Sequence, residues 1–231
     1  MRKIDNGIFD FTTLSFVDNN WATLLIVVAL ILLSINAVLY RRKLLLSLQC
    51  LYSKRAFSQL SKEGKFFSEG SFMLSWPFVL IVFALSIIQV GAYFMPAFEQ
   101  QLNFLQYFGI ACLSVFALYI FKQIVDFVLF DLFECQEERY NFHIVGFSFL
   151  LNSSLILFLA NIIVQYTDFI NFYWFSILII SVLFAIKVYK DFVFKSKRVN
   201  LFQFFMYFCT LEILPCALIV KLLSVLGNKG I

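Results

Sequence analysis

A single carboxylate stands inside a long apolar run near the end of the chain: Glu212, in Cys209-Thr-Leu-Glu-Ile-Leu-Pro215. At membrane depth an ionised carboxyl costs about 2.5–3.5 kcal/mol on insertion scales unless it is paired, protonated or wet. Pro215 follows three residues later, and inside a helix it frees a backbone carbonyl one turn upstream, near Leu211, and bends the axis. Two uses fit this pattern. One is a proton or cation site at a bent helix, with Asn152 and Asn161 as further polar candidates. The other is an interhelical hydrogen bond, to Asn152, Ser153, Ser154, Asn161 or Lys187. The hydrogen bond is the preferred expectation, because a proton relay needs a second titratable group at the same depth.

The densest polar cluster lies between residues 122 and 143: Lys122, Asp126, Asp131, Glu134, Glu137, Glu138, Arg139 and the only histidine, His143. Lys122 and Asp126 are four apart and share a helical face, so they are expected to pair and to lower the cost of holding either at a membrane boundary. Asp131, Glu134, Glu137 and Glu138 form an acidic cap suited to docking a basic segment of this chain or of a partner, at Lys54 and Arg55 through Lys65 or at Lys195 to Arg198. Exposed pairs of that kind gain little energy, so such docking is weak. Glu134, Cys135, Glu137, Glu138 and His143 lack metal-ligand spacing, and no metal or cofactor is expected. The five cysteines, Cys50, Cys112, Cys135, Cys209 and Cys216, are odd in number and contain no C-x-x-C pair, which suits small apolar-behaving thiols.

These residues must be held by membrane helices. Of 231 residues, 62% are hydrophobic and 14% charged, which leaves too few charges to cover a soluble surface of this size. Soluble enzymes and disordered chains are excluded, and lipid is the expected solvent. Charge-poor windows of the roughly 20 residues a bilayer requires predict an all-α polytopic membrane helix bundle with six transmembrane helices. The spans are about 21–40, 72–95, 104–125, 143–164, 172–189 and 201–226, in a single membrane domain covering 1–231. The windows are apolar on all sides and lack the alternation of a barrel strand. Pro77 fits the first turn of the second span, and Pro96 fits its end.

Basic residues set the orientation. Arg41, Arg42, Lys43, Lys54, Arg55, Lys62 and Lys65 follow the first span; Lys122 and Arg139 follow the third; Lys187, Lys190, Lys195, Lys197 and Arg198 follow the fifth. These are 14 of the 18 Lys and Arg residues, against Arg2, Lys3, Lys221 and Lys229 on the other side. The odd loops are therefore predicted cytoplasmic and both termini outside. The first apolar run lacks a signal-peptidase site and has spanning length, so it is read as a span. The basic loop 41–70 is too short for a domain. Taken as one helix, it places Ser47, Lys54, Ser58 and Ser61 on one face and Leu44, Leu45, Leu48, Leu51 and Tyr52 on another. It is either a flank that sets topology or a segment lying on anionic lipid.

The stretch Phe204-Phe-Met-Tyr-Phe-Cys-Thr-Leu-Glu-Ile-Leu-Pro-Cys-Ala-Leu-Ile-Val-Lys-Leu-Leu223 resembles the C-terminal signature of a family of small inner-membrane proteins of Bacteroidota, domain of unknown function 4271. The acidic turn Glu134 to Tyr140 followed by Asn141-Phe142 is similar to that family's middle segment. The resemblance covers roughly residues 90 to 226, with Thr-Leu-Glu-Ile-Leu-Pro as its sharp element. It implies a bacterial inner-membrane location and draws attention to Glu212 and Pro215, and it supplies no activity.

Three functions fit. The first is a non-catalytic subunit or scaffold of a larger membrane assembly, in protein export or envelope construction, with the bilayer and other membrane subunits as partners and no nucleic acid. The second is a small proton- or cation-coupled transporter using Glu212, although no inverted repeat is evident. The third is a membrane enzyme or accessory factor for lipid-linked substrates, for which Asp126, Asp131, Glu134 and His143 would have to converge. No catalytic residue is assigned, and the subunit is preferred.

Overall fold

A computed structural model describes residues 20–63, 70–94, 104–132, 136–167 and 172–193. All described segments are helical: α1 (Asn20–Leu39), α2 (Arg41–Gln49), α3 (Lys54–Glu63), α4 (Gly70–Phe94), α5 (Phe104–Leu132), α6 (Gln136–Thr167) and α7 (Phe172–Val193). Five of them contain stretches long and apolar enough to cross a membrane: Asn20–Leu39, Gly70–Gly91, Phe104–Val128, Tyr140–Thr167 and Phe172–Tyr189. Without water to solvate its amides, an apolar chain satisfies them within the helix. The window 201–226, with Glu212 and Pro215, lies outside the described residues, as does Pro96.

Burial ranks these helices. Buried residues make up 56% of the α6 span and 50% of the α4 span, against 22% for α1 and α7 and 6% for α5. The α4–α6 pair is therefore the centre, with α1, α5 and α7 packed around it. Phe78, Val79, Val82 and Leu85 of α4 meet Leu151, Phe158, Ala160 and Val164 of α6, joined by Ile26 and Ala29 of α1. Phe78 and Phe158 pack edge to face with centroids 5.7 Å apart. Ala29 and Ala160 are fully buried, as expected where small side chains let helices approach.

Three sequence expectations are corrected. Helix α4 begins at Gly70, so Pro77 stands inside it and not in its first turn. Residues before Pro77 are buried within the bundle and hydrogen-bonded: Ser71 and Ser75 are buried, and Ser75 Oγ donates to Ser71 O at 2.8 Å. Lys187, counted with the basic residues that follow the fifth span, lies inside it as the bounds 172–189 require, because α7 continues to Val193 and Lys187 is only 3% exposed. The basic loop is not one helix. It breaks at residues 50–53, and Ser53 starts α3 by accepting the Ala56 N–H at its Oγ, 3.4 Å away.

That break presents α2 and α3 to α6. Cys50, Phe57 and Leu60 pack on Ile144, Val145 and Phe147, so Ser47, expected on a polar outer face, is buried. A helix cannot satisfy its own last four carbonyls, and here all four of α2 are accounted for. Cys50 N–H donates to Leu46 O, while the Tyr52 and Ser53 N–H groups donate to Gln49 O. The two between them are capped by α6: Ser148 Oγ donates to Ser47 O, and Asn152 Nδ2 donates to Leu48 O at 3.2 Å. Further along, Ser61 Oγ donates to Asn141 Oδ1 at 2.7 Å.

Candidate functional site

Polar side chains gather at the two ends of the bundle. At the end where α2 and α3 lie, α5 is finishing, α6 starting and α7 finishing. Lys122, Gln123 and Asp126 of α5, His143 and Gly146 of α6, and Lys187 of α7 surround a cavity of about 30 Å³. Asp126 is 2% exposed, and its Oδ2 lies 3.8 Å from His143 Nδ1, close enough for ionic attraction and too far for a hydrogen bond. Lys187 Nζ is 5.7 Å from the Phe184 ring centroid, within cation–π range. Aromatic contacts hold the surrounding wall: Tyr119 stands edge-on to Trp76 at 4.2 Å, and Phe147 packs on Phe72 at 4.6 Å. A side chain added at Gly146 would meet no atom within 4 Å.

At the opposite end, α4, α6 and α7 share a buried network. Asn161 Nδ2 donates to Val82 O at 3.0 Å, and Asn161 Oδ1 is 2.9 Å from Ser86 Oγ and 2.6 Å from the Tyr173 hydroxyl. Tyr173 also reaches Gln89 Oε1. Gln89 Nε2 donates to Gln165 Oε1 at 3.0 Å. Each hydroxyl has one proton and two acceptors in range, since Ser86 Oγ is also 3.0 Å from Val82 O. The network joins three helices through hydrogen bonds that lipid could not replace.

The residues singled out in the sequence fall as follows. Lys122 and Asp126 line the same cavity, and His143 joins them there. Asp131 is exposed on α5, as are Lys54 and Arg55 on α3; Glu134 lies outside the described residues, and of Glu137 and Glu138 only the backbone, in the first turn of α6, is described. Asn152 and Asn161 bond to different elements, α2 and α4. Nine residues separate them, about 13 Å along the α6 axis. Among the described residues no three His, Cys, Asp or Glu side chains come together as a metal site. Sequence reasoning missed Gln123, Gly146, Ser86, Gln89, Gln165 and Tyr173. Helical spacing carried part of the signal: Ser86 and Gln89 are three apart, and Asn161 and Gln165 four apart, each pair on one face.

Helices of this length and apolarity, with polar side chains collected at the bundle ends, define a helical membrane protein. The chain belongs to the family described as Domain of unknown function (DUF4271), whose model matches residues 22–223. That match includes α1 and the α2–α3 segment, beyond the stretch read from the sequence. No curated protein and no solved structure matches the chain.

Proposed function

We propose that this chain is a non-catalytic subunit or scaffold of a larger assembly in a bacterial inner membrane, with six spans and both termini outside. The observation that supports this reading is the use of three asparagines within its spans, Asn36, Asn152 and Asn161. Asn36 Nδ2 donates to Ser75 Oγ at 2.7 Å, tying α1 to α4; Asn152 ties α6 to α2; Asn161 ties α6 to α4. Each holds one element against another, and none of the three is among the residues lining the cavity. Protein export or envelope construction is the setting that suits a bundle with no described domain outside its helices. Purification in mild detergent followed by mass spectrometry of the intact complex tests the role. A partner at fixed stoichiometry is expected, and a chain recovered alone at full yield overturns it.

A further inference from the structure

The cavity between α5, α6 and α7 has the donors, the room and the depth to hold a lipid phosphate. Lys122 and Lys187 bring two ammonium groups to its wall, His143 an imidazole and Gln123 an amide, while Asp126 is the carboxylate among its lining residues. With His143 neutral and Asp126 ionised, those lining residues still carry a formal positive charge. About 30 Å³ is room for about two waters, and the two non-bridging oxygens of a phosphodiester are of similar size. Phe142, Phe147 and Leu150 complete the wall with apolar surface suited to the glycerol and first methylenes of a lipid.

Depth identifies which phosphate is at hand. Lys122 is six residues from the end of the Phe104–Val128 span, Gly146 six from the start of Tyr140–Thr167, and Lys187 two from the end of Phe172–Tyr189. At 1.5 Å per residue, Lys122, Gly146 and Lys187 lie within about 9 Å of one set of span ends, and Tyr119 and Leu150 reach deeper. Those span ends are the boundary between acyl chains and headgroups, where basic pockets between helices take anionic lipid headgroups. Gly146 is one of the lining residues, and a Cβ added there would meet no atom within 4 Å, so a larger side chain has room to grow at this part of the wall.

We propose that the cavity formed by Lys122, His143, Gly146 and Lys187 binds the phosphodiester of an anionic phospholipid. Asp126, which would repel the anion, has its Oδ2 3.8 Å from His143 Nδ1. The proposal rests on the membrane placement of the helices and is independent of the subunit role. Resistance of the full chain to alkaline carbonate extraction from membranes checks that placement separately.

The test is native mass spectrometry of the full chain titrated in detergent with phosphatidylglycerol, with phosphatidylcholine and with inorganic phosphate. One retained phosphatidylglycerol is expected, preferred about fivefold or more over phosphatidylcholine. Gly146→Leu, which grows into open space, and Lys187→Gln should each lower retention about fivefold or more, while Lys187→Arg preserves it. Circular dichroism and melting of Gly146→Leu should match the parent, and Lys122→Gln provides a second charge variant where Lys187→Gln fails to fold. Equal retention of both lipids, or undiminished retention by Gly146→Leu, overturns the proposal. Inorganic phosphate that binds without lipid and is lost in the same variants assigns the cavity to a soluble anion and overturns the lipid assignment.

Discussion

Tyr173 donates its hydroxyl to Gln89 Oε1 across 84 residues of sequence, and the Tyr173 hydroxyl oxygen also lies 2.6 Å from Asn161 Oδ1. One residue near the start of α7 therefore contacts both members of the central helix pair. With one proton for two acceptors, the second carbonyl relies on Ser86, whose hydroxyl is 2.9 Å from Asn161 Oδ1.

Tyr173→Phe removes the shared donor while keeping the ring. Melting in detergent should show destabilisation of about 0.6–1.7 kcal/mol, the range of interhelical hydrogen bonds in a membrane protein. Asn161→Ala should cost more, because it also removes the donation to Val82 O. The double variant should fall short of the sum by about 0.5 kcal/mol or more. Strict additivity would mean that the two residues act separately.

Gly70 starts α4 beneath the Tyr40 ring. A Cβ there would lie 2.7 Å from Tyr40 Cζ and closer still to the hydroxyl. Those atoms are the far end of a half-buried side chain that can swing aside, so Gly70→Ala should displace the Tyr40 ring at a cost of about 1 kcal/mol or less, set against alanine's preference for helix. Tyr40→Ala in the same chain should restore most of that loss relative to Tyr40→Ala alone. Failure of that rescue in thermal melts would show that the contact is not the cause.

Asp126→Asn removes the carboxylate from a wall that also holds two lysines and a histidine. Weakening the negative partner of the buried Lys187 side of that wall should lower stability by about 1–3 kcal/mol. The same change should strengthen phosphatidylglycerol retention, because the anion loses its only repulsive neighbour among the lining residues. Opposite signs for stability and lipid binding are the expected result, and weaker retention in a folded variant would count against the lipid site.

The apolar helices were legible because each hydrophobic window is long and nearly free of charge, and the α1 window agrees with its helix to one residue at either end. Their ends were less so. Counting Lys as a boundary marker grouped Lys187 with the residues that follow its span, since a long side chain can sit beside a ring and a cavity within the helix. The break between α2 and α3 carries no Gly or Pro, and it is packing of Cys50, Phe57 and Leu60 on α6 that fixes it. Asn161 stood out as a polar residue at depth. Its partners did not, because Ser86 and Tyr173 become neighbours only when three helices assemble, and no local spacing encodes that meeting.

The docking of α2 on α6 also sets an order of events during synthesis. Ser47 O and Leu48 O are satisfied by side chains 101 and 104 residues later in the chain. At about 5–20 residues per second, the ribosome delivers Ser148 and Asn152 on the order of ten seconds after α2 has emerged. Until then those two carbonyls lack the side chains that cap them in the folded chain, so the end of α2 can be completed only after α4 and α5 have been made.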